Sequence, residues 1–125
     1  MIYLDTHAVW ALSRKELDRF SRRAQHAMEV QDDIRISPIV ILEIEFLHEI
    51  GRFQVPAERL VDQLSVDIGL RVCDADFGDV VRKAVEERWT RDPFDRLIVA
   101  HARLQDAVLI TLDTQIHKHY PHALA

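Results

Sequence analysis

Four acidic residues stand where a folded chain could bring them to one place. Asp5 closes a short apolar run that begins at Ile2, and Asp113 closes another that begins at Val108. Asp95 follows Asp92-Pro93-Phe94, a helix start in which Asp92 reads as the N-cap and Pro93 suits the first helical position; Asp95 then falls in the first turn, at the positive end of the dipole. Glu43 shares an apolar stripe with Ile39, Phe46, Leu47 and Ile50, a setting in which a carboxylate needs a partner. Two carboxylates ~5 Å apart repel by roughly 3 kcal/mol at an effective dielectric near ~20, so several pairs rival the ~5–15 kcal/mol stability of a domain. Protons or a divalent cation must relieve that repulsion. All-oxygen ligation suits Mg²⁺ or Mn²⁺, ions that activate water and neutralise charge developing on a phosphodiester.

Taken singly, each acid has a plainer reading. Asp5 and Asp113 can cap the helices that follow them, and Asp95 can serve only the helix dipole. Glu43 resists such a reading, and the metal hypothesis rests on the four together.

The elements that must position them follow from periodicity and capping signals. Residues 2–4 form a strand and 7–12 a short helix; Ser13 to Glu16 is a capping-box pattern that opens a longer helix to about residue 30. Phe20, Ala24, Ala27 and Met28 make its inner face, and Arg14, Lys15, Arg19, Arg22 and Arg23 its basic outer face. A second strand, 34–36, leads through Ser37-Pro38 into a helix that Gly51 stops; it is apolar on most of its surface, which predicts a central position, while Glu45 falls on its polar side. A Pro56-initiated helix to about residue 68, a strand at 70–73 and an Asp76-capped helix to about residue 88 complete the middle of the chain. Phe94, Leu97, Ile98, His101 and Leu104 then lie on one helical face before the last clear strand.

Alternating strands and helices predict the α/β class, a parallel sheet with helices on both faces. Reactive sites in such sheets form beyond the carboxyl ends of the strands, where Asp5 and Asp113 converge if their strands are neighbours.

Composition narrows the alternatives. A chain of 125 residues with 48% hydrophobic content reads as one globular domain, 1–125, with no repeat or linker. No run approaches the ~20 apolar residues of a membrane helix, and the N-terminus does not read as a signal peptide. The lone Cys73 excludes an internal disulfide and favours a reducing cytoplasm. A formal charge of -5 argues against a protein that coats nucleic acid generally, while leaving room for a basic rim.

Tyr3-Leu4-Asp5-Thr6-His7, the segment from Ser37 to Leu42-Glu43-Ile44, Asp92-Pro93-Phe94-Asp95-Arg96-Leu97-Ile98-Val99-Ala100, and Ile110-Thr111-Leu112-Asp113 together resemble the PIN-domain ribonucleases. Within them the chain looks most like the toxin subunits of VapBC-type toxin–antitoxin pairs, and the resemblance runs from Ile2 to about Tyr120. It implies an α/β/α sandwich with a central parallel sheet and an endoribonuclease site that binds Mg²⁺ or Mn²⁺. By motif position Asp5, Glu43, Asp95 and Asp113 are the first to fourth acids; Asp5 and Asp95 would ligate the metal directly, and Glu43 and Asp113 through water or at a second ion. The family's chemistry is in-line attack of activated water on phosphorus, leaving a 5′-phosphate. The resemblance also implies a homodimer and a small antitoxin that wraps the toxin and blocks the acid pocket.

Other residues carry weaker signals. Asp92 reads first as a helix cap, with a direct role at the site as the lesser alternative; Asp76 reads as a cap, and Asp74 follows a strand expected at the sheet edge. Thr6 and Thr111 are placed to orient a carboxylate or water, and Arg96 suits a structural ion pair first, with bridging the acids or contacting phosphate as alternatives. His117, His119 and His122 have metal-compatible spacing, but Pro121 interrupts them and no Cys accompanies them. His101 reads as a core or interface histidine. Arg14, Arg19, Arg22, Arg23, Arg91 and Lys118 are possible phosphate contacts, with a solvated basic face as the competing assignment. Trp10, Leu12, Phe53 and Trp89 are interface candidates for which core burial competes. A haloacid-dehalogenase-type phosphatase needs an Asp where His7 stands, and a receiver domain needs a paired acid near Asp5. A non-catalytic PIN module that only binds a partner or RNA is the closer rival; loss of an acid would favour it, and all four are present.

Overall fold

The computed structural model describes residues 1–125. Five short parallel strands form the sheet: β1 (Ile2–Leu4), β2 (Ile34–Ile36), β3 (Arg71–Val72), β4 (Val108–Ile110) and β5 (Ala123–Leu124), in the order β3-β2-β1-β4-β5. Seven helices accompany them, giving a three-layer α/β/α sandwich: α1 (Thr6–Ser13), α2 (Arg22–Val30), α3 (Pro38–Glu49), α4 (Ala57–Ile68), α5 (Phe77–Val85), α6 (Pro93–Leu104) and α7 (Thr114–His119). The chain steps outward from β1 to β3, then crosses back to lay β4 on the other side of β1. That reversal opens a crevice at the carboxyl ends of β1 and β4, the place where such sheets bind ligands.

The register sets the site. Ile2 pairs with Val108, Tyr3 with Leu109 and Leu4 with Ile110, so both strands end level. The amide of Asp5 donates to the carbonyl of Ile110 at 3.2 Å and extends the ladder by one step. Apolar residues of β1, β2 and β4 are buried with Val9, Val40, Ile44, Leu60, Leu64, Ile98 and Val99 in one continuous core. A smaller cluster of Val80, Ala84 and Ala100 seals α5 against α6.

Helix ends follow their capping residues. Asp5, Ser21, Ser37, Asp76, Asp92 and Asp113 each accept a backbone amide at the start of the helix that follows, satisfying donors that have no partner within the helix. Gly51 after α3 and Gly69 after α4 adopt φ of +81° and +68°, the left-handed conformation that ends a helix and that a Cβ disfavours. Glu45, from the polar side of α3, accepts the amide of Ala57 at 3.0 Å and so caps α4, whose own N-cap is a proline without a side-chain acceptor.

Three expectations change. The single helix to residue 30 is broken: a 3₁₀ turn, Leu17–Arg19, precedes α2, and Phe20 between them is extended and only 4% exposed. Phe20 reaches the core only by leaving the helical path, and Ser21 restarts the helix by accepting the amide of Ala24 at 3.1 Å. The expected capping box does not form, since the hydroxyl of Ser13 donates to the carbonyl of Trp10 at 2.7 Å. Helix α3 is not central: Val40, Ile44 and Leu47 face inward, while Leu42, Phe46 and Ile50 are 58%, 45% and 52% exposed. Finally, the sheet gains β5, which pairs with β4 through Leu109 and Ile110.

Candidate active site

The crevice beyond β1 and β4 is a pocket of about 360 Å³ lined by Asp5, Glu43, Asp92, Asp95 and Asp113, with Thr6, His7, Arg19, Ile98 and Leu112. All four acids singled out in the sequence therefore meet there, and Asp92 joins them.

Each carboxylate is held differently. Asp5, 5% exposed, accepts the amide of Ala8 on one oxygen at 2.8 Å and the hydroxyl of Thr111 on the other. Thr111 in turn accepts the amide of Asp113 at 3.0 Å, so one hydroxyl couples the first acid to the fourth. Glu43 accepts the hydroxyl of Thr6. Asp113 caps α7 by accepting the amides of Gln115 and Ile116 at 2.7 and 3.4 Å, and Asp92 caps α6 by accepting those of Phe94 and Asp95 at 2.8 and 3.4 Å. The structural reading of these caps and the pocket reading are both satisfied by the same side chains. Asp95 alone of the five accepts no hydrogen bond from the protein, although it lies half-buried at the pocket wall.

Electrostatics report the crowding. Burial pushes the Asp5 carboxyl above its usual range; Thr111, Ala8 and His7 oppose this, and Asp113 reinforces it. Glu43 is also raised, first by burial and then by Asp92 and Asp5, against the opposing Thr6 bond. Asp95 is pushed up to about 7 by burial and then by Asp92, Asp113, Glu43 and Asp5, with no group opposing. A cluster whose members hinder one another's ionisation is the arrangement a divalent cation relieves.

The donor set fits a hard cation. Every acid offers oxygen, the two threonine hydroxyls are committed to orienting carboxylates, and no thiol lies on the pocket wall. No three side chains close on a common point as a ready-made cage. Mg²⁺ does not require one, because it dehydrates reluctantly and is commonly held by one or two carboxylates with waters completing its shell.

The other residues separate clearly. The tail histidines do not converge: His117 donates to the carbonyl of Thr111 at 2.8 Å, His119 stacks on Trp89, and His122 lies 3.5 Å from Asp106. Arg96 forms no ion pair and instead donates to the carbonyls of Ala84 and Val85 at 3.1 and 3.0 Å, tying α6 to the end of α5. Asp76 caps α5, and Asp74 follows the edge strand β3, away from the pocket. His101 is buried against Ser37, 2.9 Å away. Trp10 stacks on buried Phe53 with centroids 4.3 Å apart, so these two pair internally. The cap signal of Asp92-Pro93 conceals the place of Asp92 on the pocket wall, and nothing local in the sequence distinguishes Arg19 from its basic neighbours.

Comparison with known proteins agrees with this geometry. The PIN domain family model matches residues 2–121. No curated protein matches the chain in sequence. Among solved structures it is similar to a chain of a toxin–antitoxin complex from Klebsiella pneumoniae, at TM-score 0.63 and 19% identity over 100% of this chain and 97% of that one. It is also similar to VapBC2 from Rickettsia felis bound to a promoter DNA fragment, at 0.63 and 21% over 99% and 96%. DNA-bound VapBC from Salmonella typhimurium gives 0.62 and 18% over 98% and 94%. These identities speak for a shared fold, and the family match covers nearly the whole chain. Parallel sheet, crevice at the β1–β4 switch point and family model thus coincide: the chain belongs to the PIN-domain family.

Proposed function

We propose that residues 1–125 form one PIN unit acting as the toxin of a VapBC-type pair: a cytoplasmic, Mg²⁺- or Mn²⁺-dependent endoribonuclease that hydrolyses RNA phosphodiester bonds. The observation that carries this reading is Asp95, a half-buried carboxylate raised to about 7, without a protein donor, on the wall of a pocket shared with four other acids. An ion pair or donor would neutralise a purely structural acid; this one is left for a ligand.

Each residue then has a task. Asp95 and Asp5 would hold the metal directly. Thr111 holds one Asp5 oxygen and the Ala8 amide the other, fixing the direction in which the remaining lone pairs point. Glu43, oriented by Thr6, and Asp113, oriented by the start of α7, would act through water or at a second ion and are placed to orient or deprotonate an attacking water. A bound Mg²⁺ or Mn²⁺ would supply an activated water and neutralise charge on the phosphate under attack.

Partners follow from the same reading. The solved neighbours are toxin–antitoxin assemblies, which supports a cognate antitoxin. Leu42, Phe46 and Ile50 leave one side of α3 apolar and open, which supports docking of protein partners, the antitoxin and a second copy in a homodimer. No helix is long and apolar enough to cross a membrane.

Inducible expression in a bacterial host tests the proposal. Growth arrest accompanied by new RNA 5′-phosphate ends, both absent with Asp95→Asn at equal protein level, is expected. Equal arrest by the variant, or arrest without new ends, would remove the nuclease reading.

A further inference from the structure

The pocket contains five acids and one permanent cation, Arg19. Its position depends on the break in the helix before residue 30. Lys15 turns the chain with φ of +58°, the amide of Glu16 donates back to the carbonyl of Ala11 at 3.0 Å, and Leu17–Arg19 winds into the 3₁₀ turn. Gln25 clamps that turn by donating to the carbonyls of Leu17 and Phe20 at 2.9 and 3.0 Å. Ser21 then anchors the chain through its amide and hydroxyl, both donating to the carbonyl of Ala125, at 2.9 and 2.7 Å. Buried Phe20 pins the next residue, so the turn that presents Arg19 is fixed on both sides.

The guanidinium itself is uncommitted. It makes no ion pair and no hydrogen bond with the protein, whereas the other arginines that do are tied to Asp33, Asp79, Glu87 or backbone carbonyls. None of the pocket carboxylates forms an ion pair with it. Arg19 therefore lies on the pocket wall without neutralising it, where an anion coming to the acids would pass within its reach. Arg14 is engaged over the Trp10 ring, 5.5 Å from its centroid, while Arg22, Arg23, Arg91 and Lys118 do not line the pocket.

Resting on the nuclease reading above, we infer that Arg19 is the residue that grips the RNA backbone, donating to a phosphate beside the scissile one and setting the register of the strand over the acids. A planar fork suits a phosphate, and its fixed geometry loses less freedom per hydrogen bond formed than a lysine ammonium does.

Binding of a fluorescent, mixed-sequence, single-stranded RNA, measured by anisotropy across a salt series with Ca²⁺ as the ion, tests this. Arg19→Ala should weaken binding by about 10- to 100-fold and reduce the slope of log K against log salt by about 0.7, the loss of one phosphate contact. Arg19→Lys should keep the slope and recover only part of the affinity. Arg22→Ala, on the exposed side of α2, should change the slope less, and the melting temperature of Arg19→Ala should match wild type. An unchanged slope in Arg19→Ala, an equal loss in Arg22→Ala, or a wild type that binds no RNA would each overturn the inference. A wild type that binds but does not cut in Mg²⁺ would remove the nuclease reading alone, while the slope would still decide the role of Arg19.

Discussion

Replacing Asp95 by Asn should stabilise the metal-free protein. The carboxyl rises from an ordinary 3.8 to about 7. At ~1.4 kcal/mol per pH unit this sets a ceiling of about 4 kcal/mol on what its ionisation costs the fold. Water screens a half-buried group, so about 1–2 kcal/mol is the realistic gain, or roughly 4–8 °C in melting temperature for a chain of this size. The sign follows from proton linkage. The folded state holds a proton on Asp95 that the unfolded state has lost between 3.8 and about 7, so stability without metal falls as pH rises through that window. The advantage of Asp95→Asn should therefore be full at pH 8, shrink by more than half at pH 5 and vanish in stronger acid. Thermal melts in EDTA at both pH values read this directly. Mg²⁺ should invert the order at pH 8, because a ligand bound only by the folded state stabilises wild type alone. An Asp95→Asn protein that melts at or below wild type in EDTA at pH 8 would refute the claim that crowded negative charge dominates this pocket.

Further expectations concern the supports of the site. Thr111→Val removes a donor from the buried Asp5 carboxylate and should cost about 1–3 kcal/mol at pH 8, and less at pH 5, by urea denaturation. His101 is 2% exposed with one ring nitrogen lacking a partner, and burial lowers its pKa. The folded state thus resists a proton that the unfolded state accepts, and the stability of wild type relative to His101→Gln should decline as pH falls below about 6.5. Gly69→Ala meets no atom within 4 Å but places a Cβ at φ of +68°; it should cost about 1 kcal/mol in denaturation and leave RNA cleavage unchanged.

Much of the site was legible because its signals are local. Asp92-Pro93 marks a helix start wherever it occurs, and Asp5 and Asp113 each close an apolar run, so their place at strand ends followed from the chain itself. Their convergence needed one tertiary fact, that β1 and β4 are neighbours, which the alternation of elements allowed but did not dictate. Non-local contacts account for the misses. Arg19 reaches the pocket because Phe20 is drawn into the core and Ser21 bonds to Ala125, a residue 104 positions away; no window around Arg19 contains that information. Strand β5 has two residues, too few for a period, and exists because β4 offers an edge. The open face of α3 could not be told from a buried one by composition, since Leu42, Phe46 and Ile50 are as apolar as Val40, Ile44 and Leu47.

Cleavage of total cellular RNA by the purified, antitoxin-free protein tests the central claim most directly, with EDTA, Mg²⁺ and Mn²⁺ compared and Asp5→Asn run alongside. Discrete fragments with Mg²⁺ or Mn²⁺, absent in EDTA and absent from the variant, are the predicted result. Fragments that persist in EDTA or with Asp5→Asn would contradict it, as would intact RNA under every condition while calorimetry shows the metal bound.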